Sequence, residues 1–292
     1  MDEPTSGATL WAISDLHVGH PENQALVDGL APRTAEDWLI VAGDVAERAD
    51  TVEKTLAFLA SRFARVIWTP GNHELWTPRD DPVMLRGVAR YDWLVDRARR
   101  HGVVTPEDDY PVWTGPGGPA VVAPLFTLYD FSVHLPHRPG HSDDDIVLTD
   151  HALLHADPYP GVTEWCHARI AATQRRLNAL PDLPVVLVDH YPLVATPLLG
   201  VYHRGLAPWS ATTATARWHL QHKTLAVVYG HLHLPGRAVF DGVRFEEVSV
   251  GYPREWSRRP APGGLRPILP APDATDHPPS PAQPRACPPA GA

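Results

Sequence analysis

Five short blocks of the chain carry residue types that could hold a divalent cation. They are "SDLHVG" with Asp15 and His17, "AGD" with Gly43 and Asp44, and "GNHE" with Gly71, Asn72, His73 and Glu74, followed by "DHYP" with His190 and "GHLH" with His231 and His233. Carboxylate, imidazole and amide oxygen donors suit Mn, Fe, Zn or Co far better than copper(I). Two cysteines, Cys166 and Cys287, are too few for a thiolate zinc site or a disulfide framework. Any metal would therefore rest on oxygen and nitrogen. Taken alone, Asp15 and His17 also read as a loop or capping pair, and His190 as a turn histidine. What separates the two readings is where the blocks fall.

Each block closes an apolar, β-prone run: "TLWAIS" (9–14), "DWLIVAG" (37–43), "ARVIWTPG" (64–71), "LPVVLVDH" (183–190) and "TLAVVYGH" (224–231). Runs of this kind predict strands buried on both faces. Helical spacing over 48–63, 84–100, 162–180 and 210–221 accompanies them, which argues for an α/β layered fold. Near the end, "GRAVFDGVRFEEVSVG" has the central Asp-Gly of a hairpin. In open α/β sheets, ligands bind beyond the carboxyl ends of the strands, so the five blocks should converge on one crevice. His20 and Asn23 follow the first block closely enough to contact a substrate there.

The 292 residues are 43% hydrophobic, enough for a substantial core. A formal charge of −9 without any Lys/Arg-rich run disfavours a nucleic-acid partner. The N-terminus lacks the basic and apolar regions of a secretion signal, and no apolar run approaches a membrane span, so a cytoplasmic location is expected. Residues 1–7 read as a flexible start and 8–256 as one domain with a cap-like insertion at about 125–160. The Pro-rich stretch 257–292 reads as a disordered tail.

The order D-x-H, G-D, G-N-H-E, lone His, G-H-x-H resembles the calcineurin-like metallophosphoesterase superfamily over roughly residues 8–252. The resemblance implies a layered β-sandwich of mixed sheets flanked by helices. It also implies two divalent ions, Mn first, with Fe, Zn or Co as alternatives. Asp15, His17 and His233 would hold one ion, Asn72, His190 and His231 the other, and Asp44 would bridge them. A metal-bridging hydroxide would then attack phosphorus. His73, outside the metal shell, would protonate the leaving oxygen, and Asn72 would also contact the phosphoryl group.

The expected activity is phosphomonoester hydrolysis on a small soluble substrate. The alternative is a phosphodiesterase on a cyclic nucleotide or similar small diester. A non-catalytic metal-binding scaffold is disfavoured because Asp44 and His73 are both present. "GDVAERAD" departs from the "GDxxDRG" of protein Ser/Thr phosphatases. Glu47 stands where purple acid phosphatases place a ligating Tyr.

Overall fold

A computed structural model describes residues 7–136, 148–259 and 264–272. In chain order its strands are β1 (Leu10–Ile13), β2 (Trp38–Val41), β3 (Arg65–Trp68), β4 (Val112–Trp113) and β5 (Ala120–Pro124). They continue with β6 (Val185–Val188), β7 (Thr224–Tyr229), β8 (Gly236–Phe240), β9 (Val243–Glu247) and β10 (Arg266–Leu269). The longer helices are α1 (Pro21–Asp28), α2 (Ala49–Ala60), α4 (Gly87–Arg100) and α6 (Val162–Asn178). Short helical turns are α3 (Asn72–Leu75), α5 (Asp150–Leu153), α7 (Trp218–Gln221) and α8 (Pro253–Trp256).

The strands form two mixed sheets, ordered β10-β1-β2-β3 and β4-β5-β6-β7-β9-β8. β1, β2 and β3 run parallel, as do β5, β6, β7 and β9; β4, β8 and β10 are antiparallel additions at the edges. Side chains alternate across each strand. Leu10, Ala12, Ile40 and Ile67 therefore meet Val122, Val186, Val188 and Val228 between the sheets. Trp11, Ile13, Leu39, Val41, Val66 and Trp68 face the other way, onto Val52, Leu56 and Leu59 of α2 and Leu94 and Val95 of α4. On the outer face of the second sheet, Val121, Val185, Leu187 and Val227 pack with Leu177 of α6 and Trp218 of α7. The result is the expected sandwich of mixed sheets flanked by helices. Burial on both faces is why the central strands read as unbroken apolar runs.

Two expectations need correction. The stretch expected as a disordered tail contains β10, which pairs antiparallel with β1 and buries Ile268 and Leu269. Its Pro267 is tolerated because the strand lies at a sheet edge. The helix expected over 210–221 is reduced to a 3₁₀ turn at Thr213–Thr215 and the short α7. There Thr212 Oγ1 accepts from the Ala214 amide, and Thr215 Oγ1 donates to the Leu193 carbonyl, so hydroxyls take over hydrogen bonds a continuous helix would use. Residues 1–6, 137–147 of the insertion, 260–263 and 273–292 lie outside the described residues.

Because Ile268 is fully buried, Ile268→Ala should lower unfolding free energy by about 2–4 kcal/mol. Urea denaturation checks this. A tail with no place in the core would show no change.

Candidate metal centre

Just past the strands, the backbone turns sharply. Asp15, His17, Asp44, His231 and His233 all lie in the left-handed region, with φ of 52°, 40°, 53°, 70° and 53°. That conformation costs a non-glycine residue roughly 1–2 kcal/mol, so so dense a cluster of it marks a site where the fold over-determines the backbone. Two glycines give the polar groups room: a Cβ on Gly71 would overlap Asp44 Oδ1, and one on Gly230 would overlap Asp15 Oδ2.

The turns gather their side chains into two adjacent groups. In the first, Asp15, His17 and His233 point donor atoms at one another, with His17 Nε2 3.2 Å from His233 Nε2 and Asp15 Oδ1 3.0 Å from His233 Nε2. The second holds Asp44, His190 and His231, with His190 Nε2 3.2 Å from His231 Nδ1 and 3.4 Å from Asp44 Oδ2. Outer partners fix the rings: His190 Nδ1 lies 2.9 Å from the Ala42 carbonyl and His233 Nδ1 2.7 Å from Glu255 Oε2. Such contacts select the tautomer and aim the other nitrogen inward. Asp15 Oδ2 accepts from the hydroxyls of Ser14 (2.6 Å) and Ser249 (2.7 Å) and from the His231 amide (3.0 Å).

The electrostatics follow from this crowding. Burial alone would raise the Asp15 and Asp44 carboxyls, but His233 beside Asp15 and His190 beside Asp44 hold both below the usual carboxylate range. Burial opposes charge on His190 and His233 too, yet Asp44 and Asp15 push each up to about 10. His231 is driven down to about 3 by burial and by neighbouring His190. Protons thus hold mutually repelling donors together.

A divalent cation fits where those protons sit. Bond lengths of about 2.0–2.1 Å place adjacent donors about 3 Å apart, close to the spacings seen here. Asn72 adds a neutral oxygen: its Oδ1 is buried without a hydrogen-bond partner, while its Nδ2 donates to Asp150. A buried acceptor left without a partner is what a cation would satisfy.

His73 stands just outside both groups. Its Nδ1 lies 3.0 Å from Glu47 Oε1 and its Nε2 3.8 Å from Asp44 Oδ2. Burial alone would lower its pKa, but Asp44 and Glu47 outweigh it and hold it above the ordinary histidine value. The Trp76 ring covers one side at 3.7 Å between centroids.

Sequence reasoning placed Asn23 at the substrate, and the structure places it elsewhere. Asn23 is fully buried; Nδ2 donates to the Leu16 and Gly251 carbonyls, and Oδ1 accepts from the Trp256 indole. Those bonds hold the loops after β1 and β9 together and leave nothing for a substrate. His20 is exposed; its amide donates to the His17 carbonyl at 3.0 Å, and its ring lies 5.6 Å from that of Tyr252, which stacks at 4.4 Å on His17. Sequence reasoning missed Glu47 as the partner of His73, Glu255 as that of His233, and Trp76 as the ring beside His73. Of these, only Glu47 left a trace, by lying three residues after Asp44.

Glu47→Gln should lower the His73 pKa, since it removes a charge that favours the imidazolium. His73 would then lose its proton at a lower pH. A histidine NMR titration of both metal-free proteins reads this directly, and identical titrations would remove Glu47 as its charge partner.

Residues 8–235 match the calcineurin-like phosphoesterase family. The chain is 50% identical over 281 residues to the acyl-carrier-protein phosphodiesterase PptH of Mycobacterium tuberculosis (strain ATCC 25618 / H37Rv), covering 92% of this chain and 86% of that protein. The crystal structure of phosphopantetheinyl hydrolase (PptH) from Mycobacterium tuberculosis superposes with a TM-score of 0.88 at 48% identity, covering 94% of this chain and all of that one. The matched region contains all five blocks, from Asp15 to His233, and the chain belongs to the calcineurin-like phosphoesterases, as a metal-dependent phosphoric ester hydrolase.

Proposed function

We propose that this chain is a phosphodiesterase that releases phosphopantetheine from a carrier protein. The near full-length likeness to an acyl-carrier-protein phosphodiesterase carries the reading. It favours the diester alternative over the monoester expected from sequence, and a protein-borne substrate over a small one. No described helix is long and apolar enough to cross a membrane.

In this reading Asp15, His17 and His233 would hold one divalent ion and Asn72, His190 and His231 the other, with Asp44 able to serve both. Asp44 acts electrostatically on both groups, reaching Asp15 and His17 as well as His190. Mn²⁺ is the first ion to test, with Fe, Zn and Co as alternatives for the same donors. When bound, the ions supply Lewis acidity and a water activated near neutral pH. The water oxygen forms the new bond to phosphorus as the bond from phosphorus to the carrier-protein oxygen breaks. His73 gives its Nε2 proton to that departing oxygen, with Glu47 steadying the imidazole from Nδ1. The products are free phosphopantetheine and the carrier hydroxyl. Asp150 of the insertion accepts from Asn72, which in this reading belongs to the second ion position.

Incubation with phosphopantetheinylated acyl carrier protein and Mn²⁺ should remove the whole phosphopantetheine group, as read by intact mass. Chelator or Asp44→Ala should abolish this, and His73→Ala should slow it strongly. An unchanged carrier alongside metal-dependent turnover of p-nitrophenyl phosphate, but not of bis-p-nitrophenyl phosphate, would return the monoester reading.

A further inference from the structure

Asp150 lies in the insertion, 78 residues beyond Asn72 and outside all five blocks. It is nearly fully buried, and its carboxylate is a three-way acceptor. Oδ1 accepts from Asn72 Nδ2 at 3.0 Å and from the Trp76 indole at 2.7 Å, while Oδ2 accepts from the Tyr129 hydroxyl at 2.7 Å. The same segment is fastened to the turn after α3 by the Thr77 amide, which donates to the Leu153 carbonyl at 2.9 Å, and by a bridge between Trp76 and Leu154.

An amide side chain has two ends, and what binds one decides where the other points. With Nδ2 spent on Asp150, Asn72 Oδ1 is left buried, without a hydrogen-bond partner. Rotation of the amide by half a turn would set two oxygens, those of Asn72 and Asp150, against each other. It would also turn an N–H toward a cation. The Trp76 indole held by the same carboxylate is the ring that lies on His73.

We infer that Asp150 is a positioning residue, which sets the Asn72 amide so that its oxygen faces the second cation position and anchors the indole against His73. The inference rests on the ligand assignment proposed above. It makes one cation position depend on the insertion, whereas Asp15, His17 and His233 have no hydrogen bond to that segment among the described contacts.

The test uses the full chain, stripped with chelator and titrated with Mn²⁺, with unbound ion read by its EPR signal. Wild type should bind two ions; binding of one alone would overturn the ligand assignment itself. Asp150→Ala should weaken the second ion about 10- to 100-fold and leave the first unchanged, since loss of an outer partner of a metal ligand typically has that effect. Raising Mn²⁺ should restore turnover of bis-p-nitrophenyl phosphate in this variant. Asp150→Asn retains a carbonyl oxygen to accept from Asn72 and should return the second ion to within about tenfold of wild type. Tyr129→Phe removes the third hydrogen bond but leaves Asn72 held, and should stay within about threefold. With wild type binding two ions, an alanine variant that binds both normally, or both equally poorly, overturns the inference. So does Tyr129→Phe losing the second ion. If the alanine variant does not fold, the near-isosteric Asp150→Leu, which also removes every acceptor, decides the matter by the same criterion: selective weakening of the second ion supports the inference, and normal binding of both ions, or equal loss of both, overturns it.

Discussion

The carboxylate of Glu74 ties together the two turns on which the centre is built. One oxygen accepts the amides of Asp44 at 2.9 Å and Gly71 at 3.0 Å, and the other accepts the amide of Val45 at 3.0 Å. The loop after β2 and the loop after β3 are thereby fixed to a single buried group. Burial, with Asp44 beside it, pushes the Glu74 carboxyl up to about 7. Leaving three amides unpaired in the interior would cost about 1–3 kcal/mol each, so the separation of Asp44 from Asn72 and His73 is tightly specified. Arg90 extends the same lattice. It is fully buried and donates to the carbonyls of Glu74, Glu47 and Val83 and to the carboxylate of Asp81.

Within that frame, charge is balanced over short distances. Asp15, Asp44 and Glu47 alternate with His17, His73, His190 and His233, and each acid sits lower than an ordinary carboxylate because an imidazole faces it. The arrangement is a poor one for a core and a good one for exchanging protons against cations. Five left-handed non-glycine residues add backbone strain at the same place. Sheets buried on both faces supply the stability against which such strain can be set.

Much of this could be read along the chain. The five central runs became β1, β2, β3, β6 and β7 because both faces of each strand are covered, which removes the polar alternation that would have blurred them. The site blocks were equally visible, since each follows its strand directly. Contacts made between distant segments were invisible. Asn23 lies beside the first block in sequence, yet besides Leu16 its partners are the distant Gly251 and Trp256. Glu255 and Asp150 serve residues 22 and 78 positions away, and nothing local marks them. β10 was hidden by the prolines around it, because composition does not reveal that an edge strand has a partner waiting.

The parallel order of the strands has a kinetic consequence. The first group draws Asp15 and His233 from opposite ends of the domain, 218 residues apart, and the second spans both sheets, from Asp44 after β2 to His231 after β7. Contacts of such separation carry their loop-closure entropy before any reward. Neither group can therefore assemble before the chain through His231 and His233 has been made, or in a state where one sheet has formed and the other has not. A cation held by either group would be captured late in folding, after both sheets have docked.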